Sequence, residues 1–509
     1  MPEVRPPCER GFQPGRNYGI ADGQLPSCET FTAMHPFLYT ALWLVVVFIL
    51  QACGATEPVQ TQLDVEQPNI IVIFTDDLGY GDLSCFGNPT IRTPYLDRMA
   101  VEGQKWTQFY VADPVCTPSR AGLLTGRYPI RNGMSSKDRV VLFPNSAGGL
   151  PSSEITIAEV LRDAGYATAA VGKWHLGHLP EFLPTNQGFD SYFGIPYSND
   201  MSFNGDGEHY RQRIDDPHWL DDPARYEVPL MRDTTVIEVP TDQFTITARY
   251  TDEAVAFIEE HQREPFFLYL AHNLPHIPLF AGEAHLGLSD RGLYGDVVEE
   301  IDAGVGKIIE TLKSLDLDEQ TLVVFTSDNG PWLSFRTHGG SSGPLRAGKG
   351  TTFEGGQRVP TIFWGPGLVE PGTVTTMGST LDLLPTCASM AGAEIPSDRK
   401  MDGYDLSPVF AGADATPRET FFYWTRGELH AVRQASWKLH LQQRAPINYG
   451  QKVELDAPEL YHLEADISEA YNVAALHPEI VAELSALAEE HIASTANALP
   501  DNLVAVIGK

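Results

Sequence analysis

Positive charge is scarce in this chain of 509 residues: 35 Lys and Arg side chains stand against 67 Asp and Glu, a formal net charge of -32. Such a field repels polyanions and argues against nucleic acid as a partner. It leaves room for a small anionic group in a locally basic pocket, because salt screens the distant charge. Cysteine is scarce too. The six, at positions 8, 28, 53, 85, 116 and 387, form no disulfide framework. A comfortable membrane span is also wanting: the apolar run at residues 37–50 (FLYTALWLVVVFIL) numbers 14, the length of a signal-peptide core. No short internal repeat is evident, which argues against a solenoid.

What is present describes a folded, loop-rich enzyme. Hydrophobic residues make up 42% and aromatics 10%, with 45 Gly and 38 Pro. The apolar run is followed by Leu50-Gln51-Ala52-Cys53, which resembles the bacterial lipobox. The expectation is therefore an exported bacterial protein, periplasmic or outer-membrane lipoprotein-like, with a lipid anchor at Cys53, residues 54–68 as a tether and Met34 as a plausible start. An uncleaved N-terminal anchor is the other reading of the same run.

Beyond this extension (1–68) the pattern alternates. Asn69-Ile70-Ile71-Val72-Ile73-Phe74, Ala167 to Val171, Phe266 to Leu270 and Leu322 to Phe325 are continuous apolar runs and read as buried parallel strands. Between them lie helical patterns: Thr156-Ile157-Ala158-Glu159 is a capping box, Thr251 can cap a helix through Ile258, and Val298, Ile301, Val305, Ile308 and Leu312 repeat at helical spacing. Alternation of this kind predicts an α/β domain over 69–415, a large doubly wound, mainly parallel sheet flanked by helices. From 416 to 509 short strands and a helix near Pro478 to Ala493 predict a small antiparallel sheet plus helix, with no catalytic constellation visible there.

Each predicted strand of the first domain ends in polar residues: Asp76 and Asp77, Lys173 and His175, His272 and His276, Asp328 and Asn329. Strand carboxyl ends of open α/β sheets face the ligand crevice, so the chain aims these groups at one place. The acid and amide pairs are the oxygen ligands that a hard cation such as calcium prefers.

Cys116-Thr117-Pro118-Ser119-Arg120, followed by Thr125-Gly126-Arg127, resembles the signature of the formylglycine-dependent sulfatases. So do Gly172-Lys173-Trp174-His175-Leu176-Gly177, Ile195-Pro196-Tyr197-Ser198, His276 before Ile277-Pro278, and Gly348-Lys349-Gly350-Thr351-Thr352-Phe353-Glu354-Gly355-Gly356. The order is that of arylsulfatases, over about residues 69–400. The resemblance implies an alkaline-phosphatase-like fold and a maturation enzyme that oxidises Cys116 to formylglycine. It also implies calcium held by Asp76, Asp77, Cys116, Asp328 and Asn329.

By the same resemblance Arg120 and calcium activate the hydrated aldehyde and Asp328 takes a proton as a hydroxyl attacks sulfur. Lys173, Ser198, His276 and Lys349 bind the sulfate, His276 and Lys349 protonate the leaving group, and His175 serves the second hydroxyl. The expected substrate is an aryl sulfate or a sulfated carbohydrate; a formylglycine-dependent phosphodiester or phosphonate monoester hydrolase is the alternative. His178, His272, His285 and His338 stand near these motifs without belonging to them, and residues 200–240 suit either a carbohydrate-facing loop or a surface insertion.

Overall fold

Buried, β-branched runs pair first with one another, and they do so here. The computed structural model describes residues 67–204, 222–413, 417–446 and 449–507. Its main sheet has 11 strands: β1 (Asn69–Thr75), β2 (Gln104–Tyr110), β3 (Ala167–Gly172), β4 (Ser191–Gly194), β5 (Leu230–Arg232), β6 (Thr235–Glu238), β7 (Phe266–Ala271), β8 (Thr321–Ser327), β9 (Arg358–Trp364), β10 (Gly372–Val374) and β11 (Gly378–Ser379). The order is β10-β2-β9-β8-β1-β7-β3-β4-β5-β6, with β11 also on β2. Its centre, β8-β1-β7-β3-β4, is parallel; β9 and β5 run antiparallel to it.

Helices cover both faces, so every residue of β1, β7 and β8 is buried. Ile71 and Ile73 of β1 join one core with α1 (Pro94–Glu102), α4 (Ile246–Glu260) and α5 (Leu293–Ser314). Ile70, Val72 and Phe74 join the other, with α2 (Cys116–Thr125), α3 (Ile157–Asp163) and α7 (Leu383–Met390), while α6 (Glu354–Gln357) leads directly into β9. Period-2 side-chain alternation between two apolar layers is why these strands read as unbroken hydrophobic runs. The fold is thus the doubly wound, mixed and mainly parallel α/β class.

Local signals mostly hold. The capping box of α3 forms, with Glu159 N donating to Thr156 Oγ1 at 3.1 Å and Thr156 N to Glu159 Oε2 at 2.8 Å. Thr251 does not cap α4: the helix begins five residues earlier, since Ile246 and Tyr250 extend its apolar stripe, and Thr251 Oγ1 donates to Thr247 O inside it. Cys85 and Cys387 are both free, and they pack into the cores on opposite faces of the sheet.

The last part of the chain forms a second sheet, β12 (Thr420–Thr425), β13 (Glu428–Gln434), β14 (Trp437–His440) and β17 (Glu459–His462) in that order, beside a hairpin of β15 (Gln443–Arg444) and β16 (Lys452–Val453). Leu484 and Ala488 of α8 (Pro478–Ala493) close a third core on Phe421, Ala431 and Leu460, which Tyr110 of β2 also enters. The expected antiparallel sheet plus helix is therefore present.

Buried acids also sit in the scaffold. Asp302 of α5 accepts from Leu96 N at 2.8 Å and Tyr95 N at 3.3 Å, two first-turn amides of α1 that have no partner within the helix. Glu300, on the same helix, accepts only the Gly282 amide, at 2.8 Å, among the described residues, and burial pushes its carboxyl up to about 7. A raised carboxyl means that the folded state holds a proton the unfolded chain has already lost, so this contribution is complete below the unfolded value and disappears as pH rises through about 7. Glu300→Gln should accordingly gain stability relative to the wild type as pH rises from about 5 to about 8; denaturant midpoints of both chains across that range measure it, and a pH-independent difference contradicts the assignment.

Candidate active site

Strand register assembles the site. Thr75 pairs with Ser327, Phe74 with Ala271 and Gly172 with Ala271, so the residues that follow β1, β3, β7 and β8 emerge side by side. Two of them turn sharply: Asp77 has φ 66° and His175 φ 58°, left-handed conformations that cost non-glycine residues and persist where surrounding contacts enforce them.

Cys116 opens α2, and its thiol donates to Asp76 Oδ1 at 3.3 Å and lies 3.6 Å from Lys349 Nζ. The whole helix is buried. Pro118 in its first turn brings no N–H to satisfy, and the unpaired amides and dipole there suit an anion. Arg120, one turn on, donates Nε and Nη2 to Asp328 Oδ2 at 3.1 and 2.8 Å and Nη1 to Lys173 O at 3.0 Å, with Asp76 Oδ2 3.6 Å away.

Lys173 pairs with Asp76 and donates to Ser198 Oγ at 3.0 Å. Ser198 Oγ is 3.4 Å from His276 Nε2, whose other nitrogen, Nδ1, bonds Ile277 O. Lys349 Nζ lies 2.7 Å from Asp77 Oδ1, and Asn329 Nδ2 donates to the same oxygen at 2.7 Å. His175 donates Nε2–H to Leu142 O at 2.9 Å, which leaves Nδ1, buried and with no partner among the described residues, as its basic nitrogen.

Burial and neighbouring charge set the protonation states. Burial opposes ionisation of Asp76, but Lys173, Arg120 and Lys349 overcome it and hold its carboxyl well below the usual range. At Asp77 burial wins: with Asp76 and Asp328 adding repulsion, its carboxyl rises to about 7 despite Lys349. Burial and Asp76 also raise Asp328. Burial, then Lys173 and Lys349 respectively, keep His175 and His276 neutral. Burial, Asp328 and Asp76 push the Cys116 thiol well above its ordinary value, so an unmodified cysteine here is a poor thiolate nucleophile.

A hard cation fits this donor set. Ligand atoms of Asp76, Asp77, Cys116 and His276 lie within 4.8 Å of one another, Asp328 Oδ1 accepts from Asp77 N at 3.2 Å, and Asn329 Oδ1 is buried with no donor among the described residues. Mutually repelling carboxylates and an unmatched amide oxygen are what a divalent ion neutralises.

Trp332, three residues beyond Asn329, went unnoticed in the sequence: Lys349 Nζ lies 4.3 Å from its ring centre and the His276 ring 5.2 Å. An aromatic just after a strand-end acid pair was the available signal. Tyr449, from the C-terminal hairpin, meets the Trp332 ring edge-on at 5.9 Å, so the region without visible catalytic residues does reach the site. His272 packs on Tyr250, and burial lowers it to about 4; His178 packs on Tyr197. Neither joins the polar cluster. Residues 205–221 of the 200–240 insertion lie outside the described residues.

Residues 68–393 match the family described as Sulfatase, and residues 416–504 the C-terminal region of aryl-sulfatase. Arylsulfatase A of Homo sapiens is 41% identical over 445 residues, covering 82% of this chain and 87% of that one. The N-acetylgalactosamine-6-sulfatase of Canis lupus familiaris is 43% identical over 409 residues, covering 77% and 73%. Among solved structures, Ps i-CgsB in complex with k-i-k-neocarrahexaose aligns with TM-score 0.72 at 32% identity, covering 86% of this chain and 94% of that one. The PsFucS1 sulfatase from Pseudoalteromonas sp. aligns with TM-score 0.76 at 26% identity, covering 91% and 95%.

These curated relatives are animal proteins, which overturns the bacterial, periplasmic or outer-membrane lipoprotein-like location expected from residues 37–53. The apolar run and Cys53 lie outside the described residues, within which no helix is long and apolar enough to cross a membrane. A short apolar core before a cysteine is a compositional signal that unrelated sequences share. The matches across the catalytic sheet and the C-terminal region place the chain in the sulfatase family, as a sulfuric ester hydrolase.

Proposed function

We propose that this chain hydrolyses sulfate esters of carbohydrates or aryl alcohols through formylglycine made from Cys116 by a maturation enzyme, with calcium at Asp76, Asp77, Cys116, Asp328 and Asn329. The observation that carries the reading is the buried head of α2: Cys116 sits among carboxylates that suppress its thiolate, beside a lysine and the first-turn amides. Formylglycine supplies, as its hydrate, one hydroxyl to attack sulfur and a second whose deprotonation releases sulfate. Calcium, when bound, supplies a Lewis acid and offsets the buried carboxylates.

The chain's own side chains do the rest. Arg120, fixed by Asp328 and Asp76, orients residue 116, and Asp328 takes a proton as attack begins. Lys173, Ser198, His276 and Lys349 bind the sulfate oxygens and offset the charge that develops on them. Lys349 protonates the departing oxygen, joined by His276 when its Nε2 has taken up a proton, and His175 Nδ1 accepts the proton of the second hydroxyl. The names of the sugar-acting relatives, an N-acetylgalactosamine-6-sulfatase and a neocarrahexaose complex, support a sulfated carbohydrate as substrate. A division at about residue 415 into catalytic and C-terminal domains is part of the same reading, supported by the second sheet's start at Thr420.

Coexpressed with a formylglycine-generating enzyme and supplied with calcium, the protein should release inorganic sulfate from aryl sulfates or defined sulfated sugars, with phosphate esters as the comparison. Cys116→Ala should lose at least about a thousand-fold in kcat/KM. Turnover confined to phosphorus esters would replace the sulfatase reading with the phosphohydrolase one. Cys116→Ser lacks the second hydroxyl and should release no more than about one equivalent of alcohol per enzyme; sustained turnover contradicts the mechanism. Asp77→Ala should drop bound calcium from about one per chain to none by elemental analysis, and an unchanged stoichiometry removes Asp77 from the metal set.

A further inference from the structure

Lys349 belongs to the buried loop that leads into α6 and β9. Its own amide donates to Pro331 O at 3.0 Å and the next one, of Gly350, to Pro114 O at 2.9 Å, two residues before Cys116. Gly355 N closes the loop on Arg346 O at 2.9 Å, and Ala347 (φ 59°) and Gly350 (φ 76°) take left-handed conformations within it. A segment so bent, with a charged side chain to place within a few tenths of an ångström, needs an outside brace.

The brace comes from the C-terminal sheet. Lys438 of β14 is fully buried, and its ammonium donates to Thr352 O at 2.8 Å and Glu354 Oε1 at 3.0 Å and pairs with Glu469 Oε1 at 2.9 Å. Glu469 in turn accepts Glu354 N on Oε2 at 2.7 Å and His440 Nε2–H on Oε1 at 2.8 Å, and its carbonyl takes Arg346 Nη1 at 2.6 Å. Tyr423 and Tyr110 donate to Glu354 at 2.8 and 2.5 Å. Both ends of the Lys349 loop are therefore held by residues from beyond 416: Arg346 by the Glu469 carbonyl, and Thr352 to Glu354 by the side chains of Lys438, Glu469 and Tyr423. Nothing in this cluster reaches the reacting atoms.

We infer that Lys438, with Glu469, is a positioning residue for Lys349, so that the C-terminal sheet sets the geometry of the sulfate pocket through one buried ion cluster. The inference rests on the reading of Lys349 as a sulfate-binding and proton-donating group. Removing the ammonium leaves two buried carboxylates facing each other, and the loop between them moves.

The experiment is a double-mutant cycle on the mature, calcium-loaded enzyme. Lys438→Met should lower kcat roughly ten-fold or more while KM changes less than about three-fold, since the displaced group acts mainly on the departing oxygen. In a Lys349→Ala background the same substitution should cost nothing further, because its effect runs through Lys349. Glu469→Gln, a milder change, should follow the same pattern, and thermal melts establish that each variant is folded. Losses that simply multiply in the double variant overturn the inference and leave Lys438 a general stabiliser. If Lys349→Ala alone is silent, the assignment of Lys349 has failed instead, and a crystal structure of Lys438→Met decides the positioning claim: a displaced 346–356 segment upholds it, a superimposable one overturns it.

Discussion

Everything in this molecule is arranged around a concentration of charge that water cannot reach. Asp76, Asp77 and Asp328 are buried together with Arg120, Lys173 and Lys349, each with no more than 2% exposure. An isolated carboxylate in such surroundings would take up a proton or unfold its neighbourhood, so each must face a cation or donor, and each cation must be held from behind. Strand register supplies the first requirement by ending β1, β3 and β8 at one level. Helix α2 supplies the second by carrying Arg120 one turn behind Cys116.

The same constraint explains why the site was legible. Polar residues at the ends of continuous apolar runs have few structural excuses, and the four runs read from the sequence do become β1, β3, β7 and β8. What the runs did not reveal was the antiparallel strand β9, because its residues follow directly on the Gly355-Gly356 motif and carry Pro360 within. Thr251 misled because a hydroxyl before an apolar stripe looks like a cap, whereas tertiary packing of Ile246 and Tyr250 extends α4 past it. Tyr449 and Lys438 stayed hidden for a different reason: their roles come from long-range packing, and a single aromatic or lysine carries no local pattern. Which residues meet across 84 or 86 positions, as Lys438 does with Glu354 and Thr352, is a property of the fold.

The residues from beyond 416 illustrate this. In sequence they are short strands with no chemistry; in space Tyr110 of the main sheet lies in their core, and their ions hold the loop that carries Lys349. An apolar joint and a buried ionic one thus coincide at the same seam. The apolar part contributes most of the stability, and the ionic part contributes direction, since charges must meet in one geometry to be tolerated at all.

Burial at Cys116 also bears on chronology. The cysteine is 2% exposed, every residue of α2 is buried, and Thr117 is tied on both sides, to His175 O and by Leu142 N. No enzyme can grip residues 116–127 as an extended substrate once these contacts exist. Any oxidation of that side chain by a second protein must therefore win a race against folding, during synthesis or before the two cores close on the sheet. On the formylglycine reading proposed above, a variant of this chain that folds faster would keep more of its Cys116 as the thiol.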